Sequence, residues 1–230
     1  MSIADKLATI AANEQRVYDA GKEAQEQAFW DAYQDGGNRV TYANAFSGDG
    51  WANAIFKPRY NMAPNSAYMM FRFCTIQGDL VNILQELGVT IDFSNSTNFG
   101  YTFSYAMGIT RIGIINTTSS NSLSSTFQYA RALKTIDKLV LRTKGDQTFS
   151  SVFDSDGSLQ NITIEGVIGN NISFGDSPLL THDSLVNIIS CLQDITGTSN
   201  TRTLTLGATN LAKLTDTEKA VATGKGWTLA

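Results

Sequence analysis

Apolar residues recur at every third position in three separate stretches of this chain. Residues 127–141 carry Phe127, Ala130, Leu133, Ile136, Leu139 and then Leu141. Residues 103–114 carry Phe103, Ala106, Ile109, Ile112 and Ile114. Residues 153–164 carry Phe153, Asp156, Leu159, Ile162 and Ile164. An amphipathic helix mixes steps of three and four, and a half-buried strand steps by two. A uniform step of three fits neither. It fits a chain that turns a corner about every three residues and sends one side chain inward at each corner.

The phenylalanines lie 24 and then 26 residues apart (127 − 103 and 153 − 127). A period in the twenties with one strand per repeat predicts a leucine-rich-repeat-like solenoid. The closing pairs Ile112/Ile114, Leu139/Leu141 and Ile162/Ile164 predict short strands. These strands should stack in parallel into a sheet. The expected repeat core is Phe103, Phe127, Leu133, Ile136, Phe153, Leu159 and Ile162. The fold class is therefore α/β, a solenoid with short parallel strands preceded by a long N-terminal helix.

Three regions follow along the chain. Residues 1–37 read as that helix, ending at Asp35-Gly36-Gly37. Its stripe of Ile3, Leu7, Ile10, Val17, Ala24 and Ala28 alternates steps of four and three, with Glu14 and Gly21 in the same seam. Two readings are open: a coiled-coil strand, expected as a trimer, or an amphipathic helix lying on its own domain. Residues 38–78 form an aromatic-rich N-terminal cap, with Tyr42, Phe46, Trp51, Phe56, Tyr60, Tyr68, Phe71 and Phe73. The aromatics read as covering the end of a core, with an exposed binding surface as the other reading. Residues 79–230 hold the repeats and a C-terminal cap, in which Thr215 and Glu218 form a capping box. Leu80-Val81-Asn82-Ile83 recurs as Leu185-Val186-Asn187-Ile188, an internal repetition of a helix–strand unit.

Bulk properties narrow the function. Apolar residues make up 42% of the chain, enough to bury a core, and charged residues only 17%. A net charge of −4 with scattered basic residues argues against nucleic acid. No apolar run reaches the roughly 18 residues of a membrane helix, so membrane insertion is not expected. The N-terminus lacks the basic and apolar regions of a signal peptide. Cys74 and Cys191 read as free thiols rather than a disulfide framework.

Chemistry is sparse. His182, the only histidine, neighbours Asp183 and Ser184, and adjacent residues cannot converge as a triad. Thr181 or Asp183 is expected instead to cap a helix carrying Leu185, Ile188, Ile189 and Leu192. Asp154-Ser-Asp-Gly157 starts like a calcium loop, but Glu165 stands in the wrong register to complete it. Neither an enzyme nor any metal or cofactor is expected.

The segments YTFSYAMGITRIGII, STFQYARALKTIDKLVL and SSVFDSDGSLQNITIEG resemble BspA-type leucine-rich repeats, with their F-x-x-[AC]-x-x-L-x-x-[IL] pattern. Asp156 departs from that pattern, which implies a distorted third coil. The opening MSIADKLATIAANEQRVYDAGKEAQEQAFWDAYQ resembles the leader of tail and fibre proteins in phages and prophages of Gram-positive gut bacteria. Together these resemblances imply a non-enzymatic virion protein. Its helix would contact other virion proteins, and its solenoid would display polar positions, such as those of Asn116–Asn121, to a bacterial surface ligand. A protein-interaction or adhesion module of the repeat class is the alternative, and a glycan-acting enzyme a weaker one.

Overall fold

The computed structural model describes residues 61–74 and 76–230, with Thr9, Ala12, Asn13, residues 15–17, residues 19–21 and Ala24 near the start. Ile3, Leu7, Ile10 and Ala28 of the expected seam lie outside the described residues. So do Tyr42, Phe46, Trp51, Phe56 and Tyr60 of the expected aromatic cap. Val17 and Ala24 are helical, and both are exposed on the single chain.

The described chain is mixed α/β with parallel strands in two sheets. Strands β1 (Gly78–Asp79), β2 (Ile109–Asn116), β3 (Thr135–Val140) and β4 (Asn161–Glu165) pair in that order. Strands β5 (Ile172–Ser173), β6 (Arg202–Thr205) and β7 (Trp227–Leu229) form a second sheet. Every ladder is parallel. One continuous sheet is thus replaced by two. Helix α1 (Leu80–Glu86) follows β1, α2 (His182–Ser190) lies against β4, and α3 (Gly207–Leu211) and α4 (Asp216–Gly224) precede β7.

The repeat core residues are all buried in one cluster. Ile112 pairs with Ile136, and Ile136 with Ile162. Phe103 stacks on Phe127 with centroids 5.8 Å apart, and Phe127 on Phe153 at 5.3 Å, with planes within 9°. The column extends further at both ends. Phe71 stacks on Phe103 at 4.9 Å, and Phe153 on Phe174 at 4.7 Å. Phe71 is therefore the first ring of the column among the described residues. Each ring is one rung, and three residues after each ring stands a buried residue: Cys74, Ala106, Ala130, Asp156 and Ser177.

The backbone around each rung explains how tightly rings approach. Tyr101, Tyr105, Ser125, Tyr129, Ser151 and Ser155 all have φ between 51° and 62°, two residues either side of a phenylalanine; Met69 and Phe73 match. A left-handed non-glycine residue costs roughly 1–2 kcal/mol. The cost is met here by paired bonds. Within a rung, Thr102, Ser104 and Ala106 donate back to the carbonyls of Phe99, Tyr101 and Phe103 at 3.1 Å each. Between rungs, the N–H groups of Tyr101, Phe103 and Tyr105 donate to Ser124, Thr126 and Gln128 carbonyls at 2.7–3.1 Å. Threonine hydroxyls add staples: Thr102 Oγ1 reaches the Ala67 and Phe99 carbonyls, and Thr126 Oγ1 those of Phe99 and Leu123.

One expected strand position is corrected. Ile114 points outward and is 64% exposed, while Ile115 is buried. Strands β2 and β3 step by three between inward residues, Ile112 to Ile115 and Ile136 to Leu139. Strand β4 steps by two, Ile162 to Ile164, and the β3–β4 register shifts between Ile136 and Leu139 to absorb the difference. Strand β2 keeps step with β3, so Ile114 lies opposite Lys138 and faces out with it.

The chain closes as its caps predict. Thr215 and Glu218 form the reciprocal capping box of α4. Lysines tie the closing helices to earlier turns. Lys225 Nζ donates to the carbonyls of Ser190 and Leu192 at 2.7 and 2.9 Å, at the end of α2. Lys213 Nζ donates to those of Pro178 and Leu180. Trp227 is buried, and its indole donates to the Gln193 carbonyl.

Candidate binding face

The outer face of the β1–β4 sheet brings together residues far apart in sequence. Parallel pairing places Asp79 beside Arg111, and Thr135 between Arg111 and Asn161. Arg111 grips Asp137 with two bonds of 2.8 Å, from Nε and Nη2, and reaches Asp79 Oδ2 at 3.2 Å. These carboxylates raise the guanidinium's already high pKa. The fork geometry fixes the arginine across three strands. Asp79 also caps α1, accepting the Val81 N–H at 2.8 Å. Lys138 and Glu165 add an exposed pair at 2.8 Å.

Two grooves flank this charged centre. Toward α1 lies an apolar one of about 530 Å³, bounded by Leu80, Val81, Leu84, Ile91, Phe93 and the outward Ile114. Gly113 permits it: a Cβ there would sit 3.2 Å from Val81 Cγ2, so glycine lets α1 lie close on β2. Toward α2 lies a polar one of about 430 Å³, floored by Ile136 and Ile162. Its walls are Thr135, Asp137, Asn161 and Thr163 on the strands and Thr181, Asp183 and Asn187 on the helix side.

Helix α2 closes the edge of the sheet with its side chains. Ser184 Oγ accepts the Ile162 N–H at 3.0 Å. Asn187 accepts the Ile164 N–H at 2.6 Å and donates back to the Ile164 carbonyl at 3.2 Å. Cys191 Sγ also donates to that carbonyl. Polar side chains thus take the place of another strand and blunt the edge.

The residues singled out for chemistry fall elsewhere or serve packing. Thr181 is the cap of α2. His182 Nε2 meets Glu218 Oε1 at 2.9 Å, which raises the imidazole pKa, while the Thr215 N–H holds the Glu218 carboxylate low. Burial pushes the Cys74 thiol up to about 12 and raises that of half-buried Cys191; both are free. Among the described residues no cluster of three acidic, histidine or cysteine side chains could hold a metal ion. Among them, too, no helix is long and apolar enough to cross a membrane. In the Asn116–Asn121 loop only part is exposed. Thr117 and Ser120 are buried, where Gln147 Nε2 donates to both of their carbonyls.

A sheet face was among the surfaces the repeat reading offers for binding, but its charged centre was not anticipated, because Asp79, Arg111 and Asp137 come from three different segments. The signal was the offset of Asp137 from Arg111 by 26 residues, one 24-residue repeat plus the two residues that return to the same face of a strand. No family model, curated protein or solved structure matches the chain.

Proposed function

We propose that this chain is a leucine-rich-repeat-like solenoid of the BspA type that works by binding rather than catalysis. On this reading it is a phage virion component, placed in a tail, baseplate or fibre. Its N-terminal helix, as a trimer, attaches it to other virion proteins, and its sheet face meets a ligand on the bacterial surface. The observation that supports the display role is the division of labour across β2–β4. Inward positions repeat as Ile112, Ile136 and Ile162, whereas outward positions differ on each strand: Ile114, Lys138 and Thr163. A face whose interior is fixed and whose exterior is unconstrained can be matched to a ligand without disturbing the fold.

The test uses the full chain, fluorescently labelled, against a panel of whole Gram-positive gut bacteria. Binding to some strains is expected. Asn161→Arg together with Thr163→Arg should abolish it by filling the polar groove, with an unchanged circular dichroism spectrum. Proteomics of purified virions from the source lysogen should find the chain. Its absence there with retained binding would favour a bacterial adhesion module. Absence from virions together with binding to no strain would end the reading.

A further inference from the structure

In the Phe153 rung a carboxyl takes the place that Cys74, Ala106, Ala130 and Ser177 hold in the others. Asp156 is 0% exposed. Its Oδ1 accepts the Ala130 N–H at 2.9 Å, and its Oδ2 has no hydrogen-bond partner. Replacing Asp156 would leave no orphan behind, because the Ala130 N–H also donates to the Phe127 carbonyl at 3.0 Å.

The surroundings add no positive charge to hold an ionised form. Asp154 on the same rung and Asp176 on the next both act on Asp156 as like charges. Asp176 Oδ2 accepts the Ser155 N–H at 2.8 Å, so its carboxylate is built into this junction. Arg131, on the preceding rung, sits over the Tyr129 ring at 5.5 Å. The rung itself is looser. Its three turn bonds, from Val152, Asp154 and Asp156, are 3.4 Å each, against 3.0–3.3 Å in the Phe127 rung.

We propose that Asp156 makes the junction between the Phe153 and Phe174 rungs a proton-operated weak point. Neutral, the carboxyl seats in the column; ionised, it leaves the core and the junction opens. Burial first, then the neighbouring carboxylates, push its pKa up to about 8 from an ordinary 3.8. The sign follows from linkage. Below both values the acid is neutral folded or unfolded, and no penalty exists. Between them the unfolded chain releases a proton that the folded chain keeps, so stability falls as pH rises.

The experiment is urea unfolding of the full chain from pH 5 to pH 9, for the natural protein, Asp156→Asn and Asp156→Ala. Over pH 5–7 the unfolding constant of the natural chain should rise about tenfold per pH unit relative to either variant. Amide exchange around Ala130 and Asp156, corrected for intrinsic rates, should quicken above pH 8 in the natural chain alone. Parallel pH profiles for all three would overturn the proposal. Should both variants fail to fold, a carbon-13 titration of the Asp156 carboxyl decides. A midpoint near 8 supports the switch, and one below 5 removes it.

Discussion

The Phe127 and Phe153 rungs share a backbone and differ at two buried positions. Both rings are fully buried and stacked, with left-handed residues at Ser125 and Tyr129 in one and Ser151 and Ser155 in the other. Ala130 in the first is replaced by Asp156 in the second, and Thr126 by Val152. Thr126 Oγ1 donates to the carbonyls of Phe99 and Leu123 at 3.0 and 2.9 Å; valine has nothing to donate. The turn bonds of the second rung are the longer ones. Ring stacking therefore survives where the polar staples are lost. The column is set by the apolar step of three, and the staples set how tightly each turn closes around it.

The largest effect should come from removing a ring. Phe127→Ala should cost about 5 kcal/mol and Phe153→Ala about 3, at the two ends of the usual range for such a deletion. The smaller loss is expected where the looser rung can collapse into the cavity. Urea denaturation of both variants measures this. Equal losses would mean that the longer turn bonds carry no slack.

Next in size is moving the charge. Ala130→Asp should destabilise the chain by roughly 2–3 kcal/mol at pH 7, the cost of a buried polar group without partners. Stacked beside Asp156, a second carboxyl would strain both when ionised. The loss should therefore shrink toward pH 4, where both acids are neutral. Thermal melts at pH 4 and pH 7 provide the check; a loss independent of pH would assign the effect to crowding rather than charge.

What could be read from the sequence was what a short period imposes. Phe103, Phe127 and Phe153 were visible because each begins an unbroken run of steps of three. Phe71 and Phe174 were not, since 32 and 21 residues separate them from their neighbours. Their signal was local: a small residue three positions on, Cys74 and Ser177. The outward turn of Ile114 was hidden because β2 follows the three-residue step of β3 and not the two-residue step of β4, a matter of strand register that sequence does not display. The two Leu-Val-Asn-Ile helices show the same limit. Asn187 seals the edge of β4 at Ile164, whereas Asn82 is exposed at the start of α1. The same four residues do different work because one helix precedes the first long strand and the other follows the last. The charged centre of the sheet face was equally illegible, being assembled by lateral pairing of three segments.

The smallest expected effects test the staples alone. Thr126→Val removes one buried hydrogen bond at nearly constant volume. It should cost about 1 kcal/mol, a typical net value for one such bond. The Phe99 and Leu123 carbonyls keep their backbone partners, Thr102 and Thr126 N–H, so no orphan is created. The reverse change, Val152→Thr, puts a hydroxyl where the column's repetition places the carbonyls of Leu123 and Phe149 within reach. Elsewhere in a core a buried hydroxyl would destabilise by about 1–3 kcal/mol. Here it should be neutral or stabilising by roughly 0.5 kcal/mol, because acceptors are waiting. Urea midpoints for the pair decide the matter. A loss of more than about 1 kcal/mol in Val152→Thr would mean that the second rung is shaped differently from the first, and that the two share a ring column but not a turn.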